Sequence, residues 1–235
     1  MHPGGAVVAE ESNQSIMEKI RRISQREYDL YVLGGYISKG VMPAGIFNNP
    51  EERIMYRTTL GRGGSDLTAV IFGAALHIPV FLYSDTDGVK DSNPNLVGDA
   101  VSIPRLSREE ALEFSRYGSK ILYDAAMEHA LRNKVDVRSM NTFNPMHPGT
   151  IISGEPVNPG KPKGISFLED GKNYVVAVVL HEVGKNQQEI DRLQNIFFNF
   201  PVISSNYNIH SITFTLPGEV VTASARQIYN SVMRA

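Results

Sequence analysis

The chain has 235 residues, with 23 Lys and Arg against 25 Asp and Glu, a formal charge of -2, 42% hydrophobic residues and no cysteine. The near-balanced charge argues against nucleic acid or an anionic membrane as the main partner, and the lack of cysteine excludes disulfides, thiolate nucleophiles and Cys-based metal sites. No apolar run approaches the roughly 20 residues needed to cross a bilayer, and the opening segment lacks the basic-then-apolar layout of a secretion signal, so a cytoplasmic globular protein is expected.

In chain order, Ile16, Ile20 and Ile23 fall on one helical face and predict a helix over 12–26. Leu30 to Leu33 reads as a short apolar strand ending at Gly34 and Gly35. Residues 39–57 mix Pro, Gly and Asn without a steady period, which predicts a loop or hairpin. A Gly-rich turn then runs into a helix with Leu67, Val70, Ile71 and Ala74 on one face. Val80 to Tyr83 predicts a short buried strand closed by a polar turn. Ser107 with Glu110 forms a capping box, opening a helix through Tyr117. A second helix is expected from about Lys120 to Arg132 and a strand from Val135 to Arg138. Helices alternating with short apolar strands define an α/β layer on a mostly parallel sheet.

Residues 154–164 are dense in Pro and Gly and mark a linker. Beyond it the order becomes strand 174–180, helix 186–198, strands 202–205 and 211–216, and helix 219–233. That is most of a ferredoxin-like α+β unit, lacking its last strand. The expected division is therefore 1–155 and 163–235. A missing last strand would leave an open sheet edge that another chain could pair with.

The strongest chemical signal is Gly61-Arg62-Gly63-Gly64-Ser65-Asp66 at a helix start. Glycines let backbone amides close on an anion, and the positive end of the helix favours negative charge. Arg62 can hold a carboxylate with two parallel hydrogen bonds. Asp66 is placed to cap the helix or to orient a substrate ammonium group. A purely structural Gly turn with an N-cap Asp fits the same pattern.

TTLGRGGSD followed by an Ala-rich helix resembles the signature of aspartate kinase within the amino acid kinase family. In order after it, YSDTDGV resembles the family's nucleotide loop, RYGSKIL its Phe-Gly-Ala-Lys-Val-Leu segment, and NTFNPMHPGTIIS its closing strand and turn. The chain is thus similar to the C-terminal, ATP-binding part of an amino acid kinase domain followed by an incomplete ACT-type regulatory domain. The resemblance implies transfer of the ATP γ-phosphoryl to the L-aspartate β-carboxylate. By the same resemblance Arg62 and Asp66 are catalytic residues. Arg62, Gly63, Gly64 and Ser65 bind aspartate, and Ser84, Asp85, Lys90, Asn95, Lys120 and Ile121 bind ATP. Mg2+ would arrive with ATP rather than on a protein metal site, the six histidines being scattered singly. Lysine or threonine is the implied effector, and a homodimer through ACT domains the implied assembly.

Three departures from the family pattern are visible. The opening Lys-Phe-Gly-Gly-Thr-Ser motif, whose lysine stabilises the transferring phosphoryl group, has no counterpart. Leu33-Gly34-Gly35-Tyr36 resembles instead the strand before the GRGGSD loop. Lys90 replaces an aromatic or apolar residue, and Asn95 the Arg expected to reach ATP. The regulatory part carries one ACT unit in place of two, and its effector loop, residues 181–186, lacks the usual Pro-Gly step. Without the lysine the chain alone is expected to be nearly inactive. It is either part of a longer enzyme or a non-catalytic, amino-acid-binding regulatory protein.

Overall fold

The computed structural model describes residues 11–23, 30–41, 55–119, 122–154 and 156–234. The expected helix at the front forms as α1 (Glu11–Ile23). The apolar run at residues 30–33 does not become a strand: it is irregular, with Leu30 77% and Val32 87% exposed. Beta propensity fails there because no neighbouring strand pairs with it among the described residues. Of the loop or hairpin expected over 39–57, residues 42–54 lie outside the described residues; flanking them, β1 (Ile37–Val41) and β2 (Met55–Thr59) pair antiparallel with Ile37 opposite Thr59.

The first layer follows. Helix α2 (Gly64–Leu76) leads to β3 (Val80–Ser84), and β4 (Arg105–Ser107) leads directly into α3 (Arg108–Arg116). Helix α4 (Asp124–Arg132), β5 (Val137–Asn141) and β6 (Thr150–Ser153) complete it. The sheet order is β3-β5-β6-β4, parallel at β3–β5 and β4–β6 and antiparallel at β5–β6. The expected capping box is present, with Glu110 N donating to Ser107 Oγ at 3.1 Å and Ser107 N to the Glu110 carboxylate at 2.7 Å. Val70, Phe114, Met127, Val137 and Ile152 form a buried core between helices and sheet. Each such side chain contributes about 1.5–3 kcal/mol on burial. The strand at 80–84 is buried on one face only: Phe81 and Tyr83 are 49% and 61% exposed.

The second unit runs β7 (Pro162–Asp170), β8 (Asn173–Leu180), a short 3-10 turn at Val183–Lys185, α5 (Gln187–Phe197), β9 (Ser204–Tyr207), β10 (Ser211–Pro217) and α6 (Gly218–Met233). Its sheet is fully antiparallel in the order β7-β8-β10-β9. The expectation of an open edge beside β8 is corrected here. Strand β7, which sequence patterning missed, pairs along β8 and occupies the edge where a ferredoxin-like last strand would lie. Phe197 stacks on Phe214, with ring centroids 3.8 Å apart, at the centre of a core that includes Ile165, Val178, Leu193 and Ile228.

The two units meet along a polar seam. Buried Glu113 of α3 accepts from Ser211 Oγ at 2.8 Å, Asn208 Nδ2 at 2.9 Å and Arg116 Nη1 at 3.2 Å. Three donors satisfy a carboxylate that would otherwise be costly to desolvate. Beside it the His181 and His210 rings lie 4.9 Å apart.

Candidate functional site

Two structural pieces carry the expected site residues. The first is the glycine loop between β2 and α2. Gly61 and Gly63 have φ of 81° and 73°, the left-handed region that glycine enters without strain. A Cβ on Gly63 would also lie 2.4 Å from Tyr123 Cγ, so the loop is pressed onto the residue preceding α4. Gly63 is the N-cap of α2 and no side chain caps the helix, which corrects Asp66 as a cap. Asp66 stands instead in the first turn, half-buried, where burial pushes its carboxyl above the usual range. Arg62 is exposed and forms no ion pair among the described residues, leaving its guanidinium available beside the positive end of α2. The Gly34-Gly35-Tyr36 segment abuts this loop: Tyr36 N donates to Thr68 Oγ1 at 3.1 Å, and Thr68 Oγ1 donates to Gly64 O at 2.7 Å.

The second piece is the loop leaving β3. Thr86 N donates to Ser84 Oγ at 3.3 Å, which turns the chain away from the sheet. Asp85 is exposed. Asp87 accepts from Asn141 Nδ2 at 2.8 Å and Asn144 Nδ2 at 3.0 Å, tying the loop to the end of β5. The Asn141 bond, foremost, holds its carboxyl below the ordinary range. Lys90 is half-buried with Nζ donating to Ser102 Oγ at 2.9 Å.

This loop forms one wall of a cleft of about 170 Å³, whose lining includes Thr86, Lys90, Ser92, Asn95, Ser119 and Phe167. Lys90 and Asn95 are therefore brought together, whereas Ser84, Asp85 and residues 61–66 do not line the cleft. Lys120 and Ile121 lie outside the described residues. Their neighbours are informative: Ser119 lines the cleft, and Tyr123 packs on Gly63. Ser119 and Tyr123 are four positions apart in the chain.

Sequence reasoning missed Ser92 and the β7 residues Ser166 and Phe167, which also line the cleft. The Ser92 hydroxyl is buried and has no hydrogen-bond partner among the described residues. A buried hydroxyl without a partner costs free energy that a bound polar ligand would recover. Phe114 and Phe167, both nearly fully buried, give the cleft apolar lining, and Lys90, Asn93, Asn95 and Ser119 add polar groups. That mix suits an aromatic ring carrying an anionic or polar extension. Among the described residues no group of three His, Asp or Glu is placed to hold a metal ion, and no helix is long and apolar enough to cross a membrane.

The family model of the amino acid kinase family matches residues 4–141, and the chain belongs to that family. It is similar to chloroplastic aspartokinase 3 of Arabidopsis thaliana, 33% identical over 149 residues, covering 63% of this chain and 25% of the relative. It is also similar to the aspartokinase of Corynebacterium glutamicum, 34% identical over 170 residues, covering 68% of this chain and 40% of the relative. The chain therefore spans between about a quarter and two fifths of these relatives' length. Among solved structures, E. coli aspartokinase III in complex with aspartate and ADP shares the fold, with a TM-score of 0.67 at 18% identity over 75% of this chain and 57% of the other.

Proposed function

We propose that this chain carries the aspartate-holding loop and the nucleotide cleft of an aspartate kinase, which moves the γ-phosphoryl group of ATP to the β-carboxylate of L-aspartate. Arg62 grips a substrate carboxylate with two parallel hydrogen bonds, assisted by the amides of Gly63, Gly64 and Ser65. Asp66 faces the substrate ammonium group, whose charge draws its raised pKa back down. Bound ATP supplies the phosphoryl group, with Mg2+ held mainly by phosphate oxygens and water. The nucleotide enters the cleft against the apolar lining of Phe114 and Phe167, while Lys90, Ser92, Asn95 and Ser119 hold its polar parts. Lys120 and Ile121 belong to the segment joining cleft and loop, and Ser84 and Asp85 to the turn that shapes the cleft. Catalysis of this kind is positioning and charge neutralisation, without a covalent intermediate on the protein.

The observation that carries this proposal is the buried, unpartnered Ser92 hydroxyl inside the cleft, whose lining residue Ser119 stands four positions before Tyr123, the glycine loop's anchor. The second unit, 163–235, serves as an ACT-type regulatory domain that binds lysine or threonine and pairs two chains. The enzyme works in the cytoplasm. The proposal is tested by mixing the chain with a separately made N-terminal lobe of an aspartokinase and following aspartyl hydroxamate with ATP and Mg2+. Aspartate-dependent product should appear and fall about a hundredfold in Arg62→Ala. No ATP binding by the chain, and no product at any ratio, would overturn it.

A second role has its own support. Lys90 is tied to Ser102 and an Asn stands at 95, so the cleft offers less free positive charge than a phosphate site normally would. That weakens the catalytic role and favours a non-catalytic chain, for which we propose binding of a small amino acid through the ferredoxin-like unit. Calorimetry with lysine and threonine separates the two: heat with an amino acid but none with ATP favours the regulatory role.

A further inference from the structure

The cleft lip is not held by its own layer alone. Asp91 stands between two residues that line the cleft, Lys90 and Ser92. It is a carboxylate at 4% exposure, and nothing in the proposed chemistry uses it. Its contacts run outward to the second unit. Asp91 Oδ2 accepts from Tyr229 OH of α6 at 2.7 Å, and its backbone carbonyl accepts from Ile165 N of β7 at 2.7 Å. Its Oδ1 accepts from Val101 N at 2.9 Å, and Asp91 N donates to Val101 O at 2.9 Å, closing the loop on itself. The approach of β7 is tight: a Cβ on Gly164 would lie 2.3 Å from Asp91 O, so no other residue fits there without displacing the lip.

The anchor is reinforced on its outer side. Arg234 lies over the Tyr229 ring at 5.5 Å and pairs with Asp99 at 2.8 Å, while Arg226 reaches the same carboxylate at 3.4 Å. Val97, in the turn between, is fully buried in the core of the second unit. Both ends of the 91–101 loop therefore ride on α6 and β7, while its inner residues line the cleft. Any shift of α6 moves Asp91, and with it Lys90 and Ser92.

We infer that the Tyr229–Asp91 hydrogen bond is a positioning contact through which helix α6 of the second unit sets the cleft lip, and so the affinity of the cleft for nucleotide. This rests on the nucleotide role proposed for the cleft. Tyr229 does not touch the ligand; it acts through Asp91. Burying a carboxylate here is tolerable because it receives a hydroxyl and an amide, and removal of the hydroxyl leaves one oxygen without its donor.

The test compares the full chain with Tyr229→Phe, which keeps the ring and deletes only the hydroxyl. Amide exchange over residues 89–103 should quicken about fivefold, with α5 unchanged, and ADP measured by calorimetry should bind about fivefold more weakly. In the double variant Asp91→Ala with Tyr229→Phe, ADP affinity should be no lower than in Asp91→Ala alone, since the two residues act as one contact. Unchanged exchange at 89–103 would overturn the inference, as would an equal rise across α5 and α6 or additive losses in the double variant. If Asp91→Ala does not fold, Tyr229→Phe decides alone. Absence of ADP heat in the unaltered chain would overturn the nucleotide role instead, and the exchange comparison would still decide whether Tyr229 holds the lip.

Discussion

Strands β3 and β8 are both short apolar runs, yet they end in opposite environments. In β8, Val176, Ala177, Val178, Val179 and Leu180 are all at 0% exposure, because helix α6 covers the strand from one unit and α3 from the other. In β3, Val80 points into the core while Phe81 and Tyr83 face outward at 49% and 61%. The same kind of sequence is thus buried twice in one place and once in the other. A continuous apolar run states what a strand needs from both faces; it does not say whether both covers are present. The irregular, exposed 30–33 segment belongs with β3 in this respect.

The comparison can be broken at its most closed point first. Phe197→Ala removes one ring of the stacked pair with Phe214 and should cost about 3–5 kcal/mol, read as a large fall in Tm. A loss below about 1 kcal/mol would mean that this core collapses around the gap and is less tightly packed than its exposure indicates.

A smaller effect comes from pH at the seam. His210 has its pKa lowered by burial first and by neighbouring His181 second. The folded form therefore binds a proton less readily than the unfolded form. Stability is fully present above the ordinary histidine value of about 6.5 and is lost as pH falls through the lower folded value. His129, lowered by burial, acts in the same direction. Tm should fall between about pH 7.5 and about pH 5.5, and less so in His210→Gln, measured by thermal unfolding. An identical slope in that variant would remove His210 from the account.

The smallest effect is expected on the bare face. Phe81→Ser changes a side chain already half in water and should move stability by no more than about 0.5 kcal/mol. A loss comparable to Phe197→Ala would show that β3 is covered in solution, by a second chain or by a segment outside the described residues.

How much of this was legible beforehand depended on whether a feature was local. The capping box at Ser107 and Glu110, the glycine turn into α2 and the helix faces were readable because each is decided within one or two turns of chain. The expected α/β sheet is present, with two of its three pairings parallel. Strand β7 was not readable, since Lys161 to Lys163 sit in a Pro- and Gly-rich stretch and the strand is specified by its pairing with β8. Ser92, Ser166 and Phe167 were missed for the same reason: their cleft exists only after β7 docks on the loop after β3. Arg62 and Asp66 stood out because a glycine loop before a helix is a local pattern, although the cap falls to Gly63. Tyr229 gave no signal at all, being 138 positions away from the carboxylate it meets.

Strand β7 reaches its sheet ahead of β8, where the ferredoxin-like order would bring a strand after α6. The second unit is in effect a circular permutant of that arrangement. Transplanting it onto another protein would therefore require a graft starting no later than Pro162. One begun at Asn173 would forfeit a whole flank of hydrogen bonds and expose β8 as a sticky ribbon.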